Sequence, residues 1–272
     1  MFRIYIFMLA AMSCFFLPQL KAQSIDTTVS PNNNLLPNTT VVKYPANIVV
    51  DVSYGVHMVV ADLKERFSHA FDVGLKVNYM TPKGWMFSVS GDYLFAERIN
   101  EDVLSNLREQ SGYIIDRQGA LTFVKQHMRG FMIQGGVSKF IPFVANKKKR
   151  FGVELRLQGG YIQHWVRLKF GGEELLQLMG DYKKGYDRKT SGFVTQQYLG
   201  LRYMSTNRRY NFFAGVEVTE GFTRNRRAWN YDQMRADNDP KLDIMVGFRA
   251  GVSIPFPIYN YRKQTLEDVI YY

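Results

Sequence analysis

The chain has 272 residues, a formal net charge of +11 at pH 7 and one cysteine, Cys14. A single thiol excludes an internal disulfide framework, and the length suits one domain. The basic balance in isolation fits nucleic acid. However, the cations collect at turns and loops rather than along a helix face, and the leader points to export, so that class is excluded.

The N-terminus, MFRIYIFMLAAMSCFFLPQLKAQS, combines Arg3, an apolar run over residues 4–17 and a plausible cut after Ala22. This predicts a secretory signal over 1–22. Cys14 sits inside the apolar stretch rather than at its end, which argues against lipidation. Cleavage removes Arg3, Lys21 and the only cysteine, leaving 33 basic against 24 acidic residues. No later run reaches the roughly 18 apolar residues that a membrane-crossing helix needs. Residues 23–45, rich in Asn, Thr and Pro, read as an extended periplasmic segment.

Period-2 alternation then recurs along the chain. In the first run, Ile48, Val50, Val52, Tyr54, Val56, Met58 and Val60 oppose Asp51, Ser53, Gly55 and His57. In the second, Phe71, Val73, Leu75, Val77 and Tyr79 oppose Asp72, Gly74, Lys76 and Asn78. Trp85, Phe87, Val89, Tyr93 and Phe95 then oppose Ser88, Ser90 and Asp92, and over 129–140 Phe131, Ile133 and Val137 oppose Gln134, Gly136 and Ser138. Over 151–161, Phe151, Val153, Leu155, Leu157 and Tyr161 oppose Gly152, Glu154, Arg156 and Gln158. The sixth run sets Leu199, Leu201 and Tyr203 against Tyr198, Gly200 and Arg202, and the seventh sets Tyr210, Phe212, Ala214, Val216 and Val218 against Asn211, Gly215, Glu217 and Thr219. The eighth is the most regular, from Leu242 to Phe256 against Asp243, Gly247, Arg249, Gly251 and Ser253.

These eight runs mostly reach ten residues, longer than the strands of ordinary soluble sheets. Short links at 81–84, 144–150 and 206–209 alternate with long ones at 97–126, 171–190 and 221–240; the first link, 61–68, is modest. Long strands, an even count and alternating link lengths predict an all-β fold: a transmembrane antiparallel up-and-down β-barrel of eight strands, with long external loops and short periplasmic turns. A soluble sandwich is the competing reading. It fits less well, because here the bulky face is rimmed by Tyr, Phe and Trp while the opposite face is small and polar. The domain plan is a signal over 1–22, a periplasmic segment over 23–45, a barrel over 46–259 and a periplasmic tail over 260–272. The expected location is the cell outer membrane.

An eight-stranded barrel has room inside only for side chains. Asp51, Asp72, Asp92, Glu154, Glu217 and Asp243 fall on the inner face with Lys76, Arg156, Arg202 and Arg249. Buried charges need partners, so these ten predict a paired network filling the lumen rather than a pore. No catalytic set emerges. His57, His69, His127 and His164 fall near external strand ends, with Asp62 or Asp92 as conceivable cross-strand partners, but no motif selects them. There is no His-x-x-x-His or HExxH spacing for zinc and no phosphate-binding glycine loop. No cofactor, no metal and no enzymatic activity are expected.

The long loops concentrate cations with aromatics. Lys183, Lys184, Tyr186 and Arg188 stand in one, and Arg224, Arg226, Arg227, Trp229 and Tyr231 in the last. Three readings compete: a solvated loop with interfacial aromatics, capture of lipopolysaccharide phosphates by Arg forks, and a docking surface for a protein partner, since Trp, Tyr and Arg are enriched at hot spots. The second loop is partly apolar (Val103, Leu104, Leu107, Ile114, Ile115), which suggests a short helix and hairpin over the barrel mouth or against a neighbour.

EDVLSNLR paired with GYII, together with GDYKKGYDR, GFTRNRRAWNYD and KLDIMVGFRAGVSIPF, resembles a family of small outer-membrane barrels of Bacteroidota. The resemblance covers most of the mature chain, and its motifs carry no known chemistry. It implies an accessory subunit of a large outer-membrane machine, for barrel assembly or type IX secretion. One departure is the C-terminus. Such barrels usually end at a terminal aromatic, whereas here the last strand reaches Tyr259 and NYRKQTLEDVIYY continues. The expected partners are outer-membrane lipid and lipopolysaccharide and a larger outer-membrane protein complex. The alternatives are a rim-sited lipid- or lipopolysaccharide-modifying enzyme and a small channel.

Overall fold

The computed structural model describes residues 46–97, 99–116, 118–145, 149–171, 175, 178–205, 211–237 and 239–258. The expected signal, the 23–45 segment, the 206–209 turn and the 260–272 tail lie outside the described residues. Ten strands follow in chain order: β1 Asn47–Ala61, β2 His69–Met80, β3 Trp85–Ala96, β4 Ile114–Ile115, β5 Leu121–Thr122, β6 Val124–Ala145, β7 Lys149–Phe170, β8 Thr190–Ser205, β9 Phe212–Asn225 and β10 Pro240–Pro257. A five-residue helix, α1 Asp62–Arg66, caps β1. Eight of the strands close into a barrel in the order β1-β10-β9-β8-β7-β6-β3-β2, every neighbouring pair antiparallel, while β4 and β5 form a separate hairpin. Closure leaves no edge, so the ladder satisfies the backbone polar groups internally, as hydrocarbon requires.

The alternation of residue types becomes an alternation of faces. Along β1, Val52, Tyr54, Val56 and Met58 point outward, 42–74% exposed, while Asp51, Ser53 and His57 between them are buried. The same holds round the wall, with Leu75, Phe87, Val89, Ile133, Leu199, Val216, Phe248 and Val252 all outside. A continuous apolar exterior of this extent is far larger than water tolerates on a monomer, and it is the lipid face of a transmembrane barrel. Among the described residues no helix is long and apolar enough to cross a membrane. Crossing is by strands.

The fourth and fifth strands are longer than the sequence alternation indicated. Instead of 129–140 and 151–161, β6 and β7 each run for 22 residues. At about 3.3 Å per residue and a tilt near 40°, such a strand rises roughly 55 Å, about twice the height of an apolar belt. β7 gains nine residues at the loop end and two at the turn end, while β6 gains five at each. The pattern hid this because residues 124–128 and 162–170 carry polar and charged groups on the outward face, where the belt has already ended. Strand β9 likewise extends to Asn225, which places Arg224 on a strand rather than in the last loop.

Tight packing inside the wall fixes where side chains can be absent. A Cβ on Gly55 would stand 2.6 Å from the Asp72 carboxylate and 2.6 Å from His57 Nε2, whereas one on Gly91, facing outward, would meet nothing within 4 Å. Overpacking of this kind costs about 1–3 kcal/mol. Gly55→Ala is therefore expected to lower the unfolding free energy of the refolded barrel by that amount and Gly91→Ala to leave it nearly unchanged, as measured by denaturant titration in detergent or lipid.

Candidate functional site

The interior is stratified. At the turn end, Val49, Met80, Met86, Phe140 and Met204 form an apolar floor. Above it, Arg202 is wholly buried and binds three partners. Its Nε donates to Glu154 Oε2 at 2.6 Å, its Nη2 to Asp51 Oδ2 at 2.8 Å, and its Nη1 to Asp51 Oδ1 at 3.0 Å and to Ser253 Oγ at 2.7 Å. Arg156 Nη2 holds the other Glu154 oxygen at 2.8 Å, and Lys76 Nζ lies 3.2 Å from Asp51. The faces of these cations are covered by rings, with Arg156 4.2 Å from the Tyr198 centroid and Arg202 4.7 Å from that of Phe213.

The next layer is built on Arg249. Its Nε donates to Glu217 Oε2 at 2.7 Å, its Nη1 to Asp92 Oδ1 and Ser53 Oγ at 2.9 Å each, and its Nη2 to Asp72 Oδ2 at 3.0 Å. His57 Nε2 is hydrogen-bonded to Asp72 and lies 3.5 Å from Glu217. His57, Asp72 and Glu217 bring three metal-ligand atoms within 4.8 Å of one another. Arg249 already donates to both carboxylates and so supplies them with a counter-charge. Above this, His164 Nε2 lies 3.0 Å from Asp243 Oδ2, which also accepts from Thr223 Oγ1 at 2.6 Å.

All ten charged residues read as lumen-facing from the sequence are buried inside the barrel, nine of them in the two Arg-centred layers and Asp243 beside His164. Two histidines are corrected. His57 and His164 lie below the rim, each 1% exposed; His57 faces inward with Asp51 and Ser53, as the alternation indicated, but its partner is Asp72 rather than Asp62 or Asp92. Asp72 stands one step round the wall, opposite Gly55.

The second loop forms a short helical turn at Ser105–Leu107 and the β4–β5 hairpin, and Val103, Leu104 and Ile114 cover the barrel mouth, as their apolar pattern predicts; what sequence reasoning missed is the apolar inner face they rest on. Inward positions at the loop end are apolar: Val59, Ala70, Leu94, Ala96, Met128, Met132, Ile162, Val166, Val194 and Met245. Leu63, Phe67, Val103, Leu104, Ile114, Leu175, Leu178 and Tyr186 descend from the loops onto them. The signal was legible: toward the loop end the inner face changes from polar to apolar, as in Asp92, Leu94, Ala96 and in His57, Val59.

The loops over this lid are fastened to one another. Arg188, 1% exposed, pairs with Glu101 at 2.8 Å and with Asp232. Arg227 forks onto Asp187, and Arg226 Nε donates to Ser191 Oγ at 2.7 Å. Arg66 reaches Thr190 at 3.3 Å and Asp237 at 3.4 Å, and Asn106 donates to the Asp232 carbonyl at 2.6 Å. The expected partner-facing set therefore divides. Arg188 and Tyr186 are buried, because ion pairing and the lid take them inward, and Arg227 is half-buried in its pair. Lys183, Lys184, Arg224, Arg226, Trp229 and Tyr231 are exposed. Tyr182, 64% exposed, lies beside Tyr231, whose amide bonds the Gly185 carbonyl at 3.1 Å.

No family model and no curated protein matches the chain. Among solved structures it is similar to Ail, the attachment invasion locus protein of Yersinia pestis, at 11% identity, covering 78% of this chain and 99% of that one with a TM-score of 0.38. It is also similar to Neisserial surface protein A, at 12% identity, 77% and 97% coverage and a TM-score of 0.42. For the N-terminal β-barrel domain of Pseudomonas aeruginosa OprF the values are 11%, 77%, 99% and 0.34.

Removing one partner from a buried ion network leaves the others uncompensated, at a cost of about 3–5 kcal/mol. Arg202→Met is expected to destabilise the barrel by that much, and Arg202→Met with Asp51→Asn by less than the sum of the two single changes, as measured by unfolding in lipid vesicles. In the loops, burial opposes ionisation of Asp237, but the hydrogen bond and charge of Lys241 outweigh it and hold the carboxyl below the usual range. A depressed carboxylate stabilises above its unfolded pKa and loses that contribution as pH falls through its folded one. The loops are therefore expected to resist protease from neutral pH down to about pH 4, the ordinary carboxylate range, and to open below it.

Proposed function

We propose that the chain is an integral outer-membrane barrel serving as a non-enzymatic accessory subunit of a larger outer-membrane assembly or secretion complex, docking its partner through the loop end. One observation carries this reading: the charged groups of the lumen are paired with each other, while the loops form a braced platform with aromatics and cations on top. Paired charges between an apolar floor and an apolar lid support neither a conducting lumen nor a reaction centre open to substrate. The His57–Asp72 pair, the nearest thing to an acid–base couple, sits beneath that lid.

The platform has what a protein interface uses. Its scaffold is set before binding, because Arg188, Arg227 and Arg66 hold three loops and α1 together, so little ordering entropy is lost on contact. Tyr182, Trp229 and Tyr231 then supply large exposed aromatic surfaces, with Lys183 next to Tyr182, a composition suited to a hot spot. The likeness of GFTRNRRAWNYD and GDYKKGYDR to small barrels of Bacteroidota supports a subunit role in that phylum's assembly or type IX secretion machinery.

The test is copurification from outer membranes in mild detergent, with Trp229→Ala, Tyr231→Ala and Lys183→Ala combined. A larger outer-membrane protein recovered in stoichiometric amount and reduced at least tenfold by the variant is the expected result. Recovery of the barrel alone, or a partner indifferent to the three changes, would overturn the reading.

A further inference from the structure

Strands β6 and β7 leave the apolar belt before they end, and their outward positions change character there. On β6 the outward series climbs through Ile133 and Phe131 to Arg129, His127 and Lys125; on β7 it climbs through Tyr161, Gln163 and Trp165 to Arg167 and Lys169. The register sets Arg129 opposite Trp165, His127 opposite Arg167 and Lys125 opposite Lys169. On its other side Arg129 stands opposite Phe95 of β3. Four full cations and an imidazole thus share one face of one hairpin, directly above the aromatic rim.

This arrangement opposes its own ladder. Like charges directly opposite each other across antiparallel strands are destabilising; here Lys125 faces Lys169, and Arg167 faces the His127 imidazole on the next outward step. Among the described residues, none of Lys125, Arg129, Arg167 and Lys169 has an ion-pair partner. Arg129 makes one hydrogen bond, from Nη1 to the Met128 carbonyl at 2.7 Å. Lys125, Arg129 and Lys169 are close enough to His127 to act on its charge, and the carboxylate that also does so is Glu97. The neighbouring acids Glu101 and Asp102 are taken by Arg188 and Arg108. Among the described residues the ledge is short of anions; Lys125, Arg167 and Lys169 are exposed, and Arg129 and His127 are half-buried.

We propose that this ledge binds the phosphate of an anionic outer-leaflet lipid, whose acyl chains lie on the belt below. Height selects the source. One to three outward positions above Phe131, and three to four above Tyr161, at about 6.6 Å per pair of residues, is where headgroups begin and hydrocarbon stops. Trp165 marks that boundary, since its amphipathic ring favours the interface. Chemistry selects the group. Arg129 offers a planar fork, and Lys125 and Lys169 offer point charges, a set suited to phosphate. A soluble anion has no use for the contiguous apolar wall; a lipid uses both. The site lies on the side of the barrel, apart from the loop platform, and stands or falls independently of any protein partner.

The experiment is native mass spectrometry of the refolded full-length barrel titrated with diphosphorylated lipid A, with dephosphorylated lipid A and inorganic phosphate as separate arms. The variants are Lys125→Gln with Lys169→Gln, and Arg129→Gln with Arg167→Gln. All four side chains lie on the outward face without an ion-pair partner among the described residues, so folding, followed by the heat-dependent gel shift of barrels, is expected to survive. The expected result is at least tenfold weaker binding of the phosphorylated lipid in each double variant, weak binding of the dephosphorylated lipid by every form, and no competition from millimolar phosphate. Equal binding by wild type and variants, or affinity indifferent to lipid phosphorylation, would overturn the proposal. Full displacement by inorganic phosphate would overturn its lipid source. Glu97→Gln removes the nearby carboxylate and is expected to tighten binding severalfold; a loss of binding there would count against the ledge.

Discussion

Closure of eight strands is the constraint from which the rest follows. It satisfies the backbone in hydrocarbon, and it also leaves a cylinder too narrow to keep its inner groups hydrated. Every inward charge must then find a partner across the lumen or not be charged. Arg202 and Arg249 meet this demand because a guanidinium carries several donors in one plane. Arg202 holds Asp51 from β1, Glu154 from β7 and Ser253 from β10; Arg249 holds Glu217 from β9, Asp72 from β2 and Asp92 from β3. Each arginine ties strands that are distant in sequence, so the pairing fixes register as well as charge. The two layers are also unequal. Lys76, Arg156 and Arg202 outnumber Asp51 and Glu154, while Asp72, Asp92 and Glu217 outnumber Arg249. The surpluses are opposite in sign and adjacent along the axis, so each layer is a counterion for the other.

How much of this was legible depended on where the signal was local. Strand number and faces follow from period-2 alternation, because the pleat converts sequence parity directly into inside and outside. Asp51, Arg202 and Arg249 could be placed inward for that reason. Which of them touch could not be read, since Asp51 and Arg202 are far apart in sequence and meet only when the sheet closes. His57 shows the same limit. Its partner Asp72 is a cross-strand neighbour whose identity depends on register, and the sequence offered Asp62 and Asp92 as readily. The long β6 and β7 were underestimated for a different reason. Beyond the belt, outward residues answer to water and headgroups, so the hydrophobic contrast that marks a strand in the membrane disappears.

The loops reverse the first expectation of their composition. A run such as FTRNRRAWNYD looks like exposed charge, yet Arg226 and Arg227 are engaged by Ser191 and Asp187, and the Arg188 of the neighbouring loop is buried. The apolar lid supplies the reason. Once Leu104, Ile114, Leu178 and Tyr186 descend onto Val59 and Met128, the polar backbone of four connections is crowded into one layer, and arginines are the side chains long enough to bridge it. Burial there makes these pairs stronger than solvated surface pairs, which contribute little.

The two long strands then serve both faces at once. Met128, Val166 and Leu168 point inward and form part of the lid, while Arg129, Arg167 and Lys169 alternate with them and point outward. Repulsion on the outer face therefore acts on the same ladder that carries the lid. On the proposed reading, a bound lipid phosphate relieves that repulsion. A ligand that binds only the folded state stabilises it by RT ln(1 + [L]/Kd). Lipid contact would thus be felt in the lid and in the loops resting on it, although the phosphate touches neither. On that proposal, a period of two residues is sufficient to couple the membrane surface to the loops that rest on the lid.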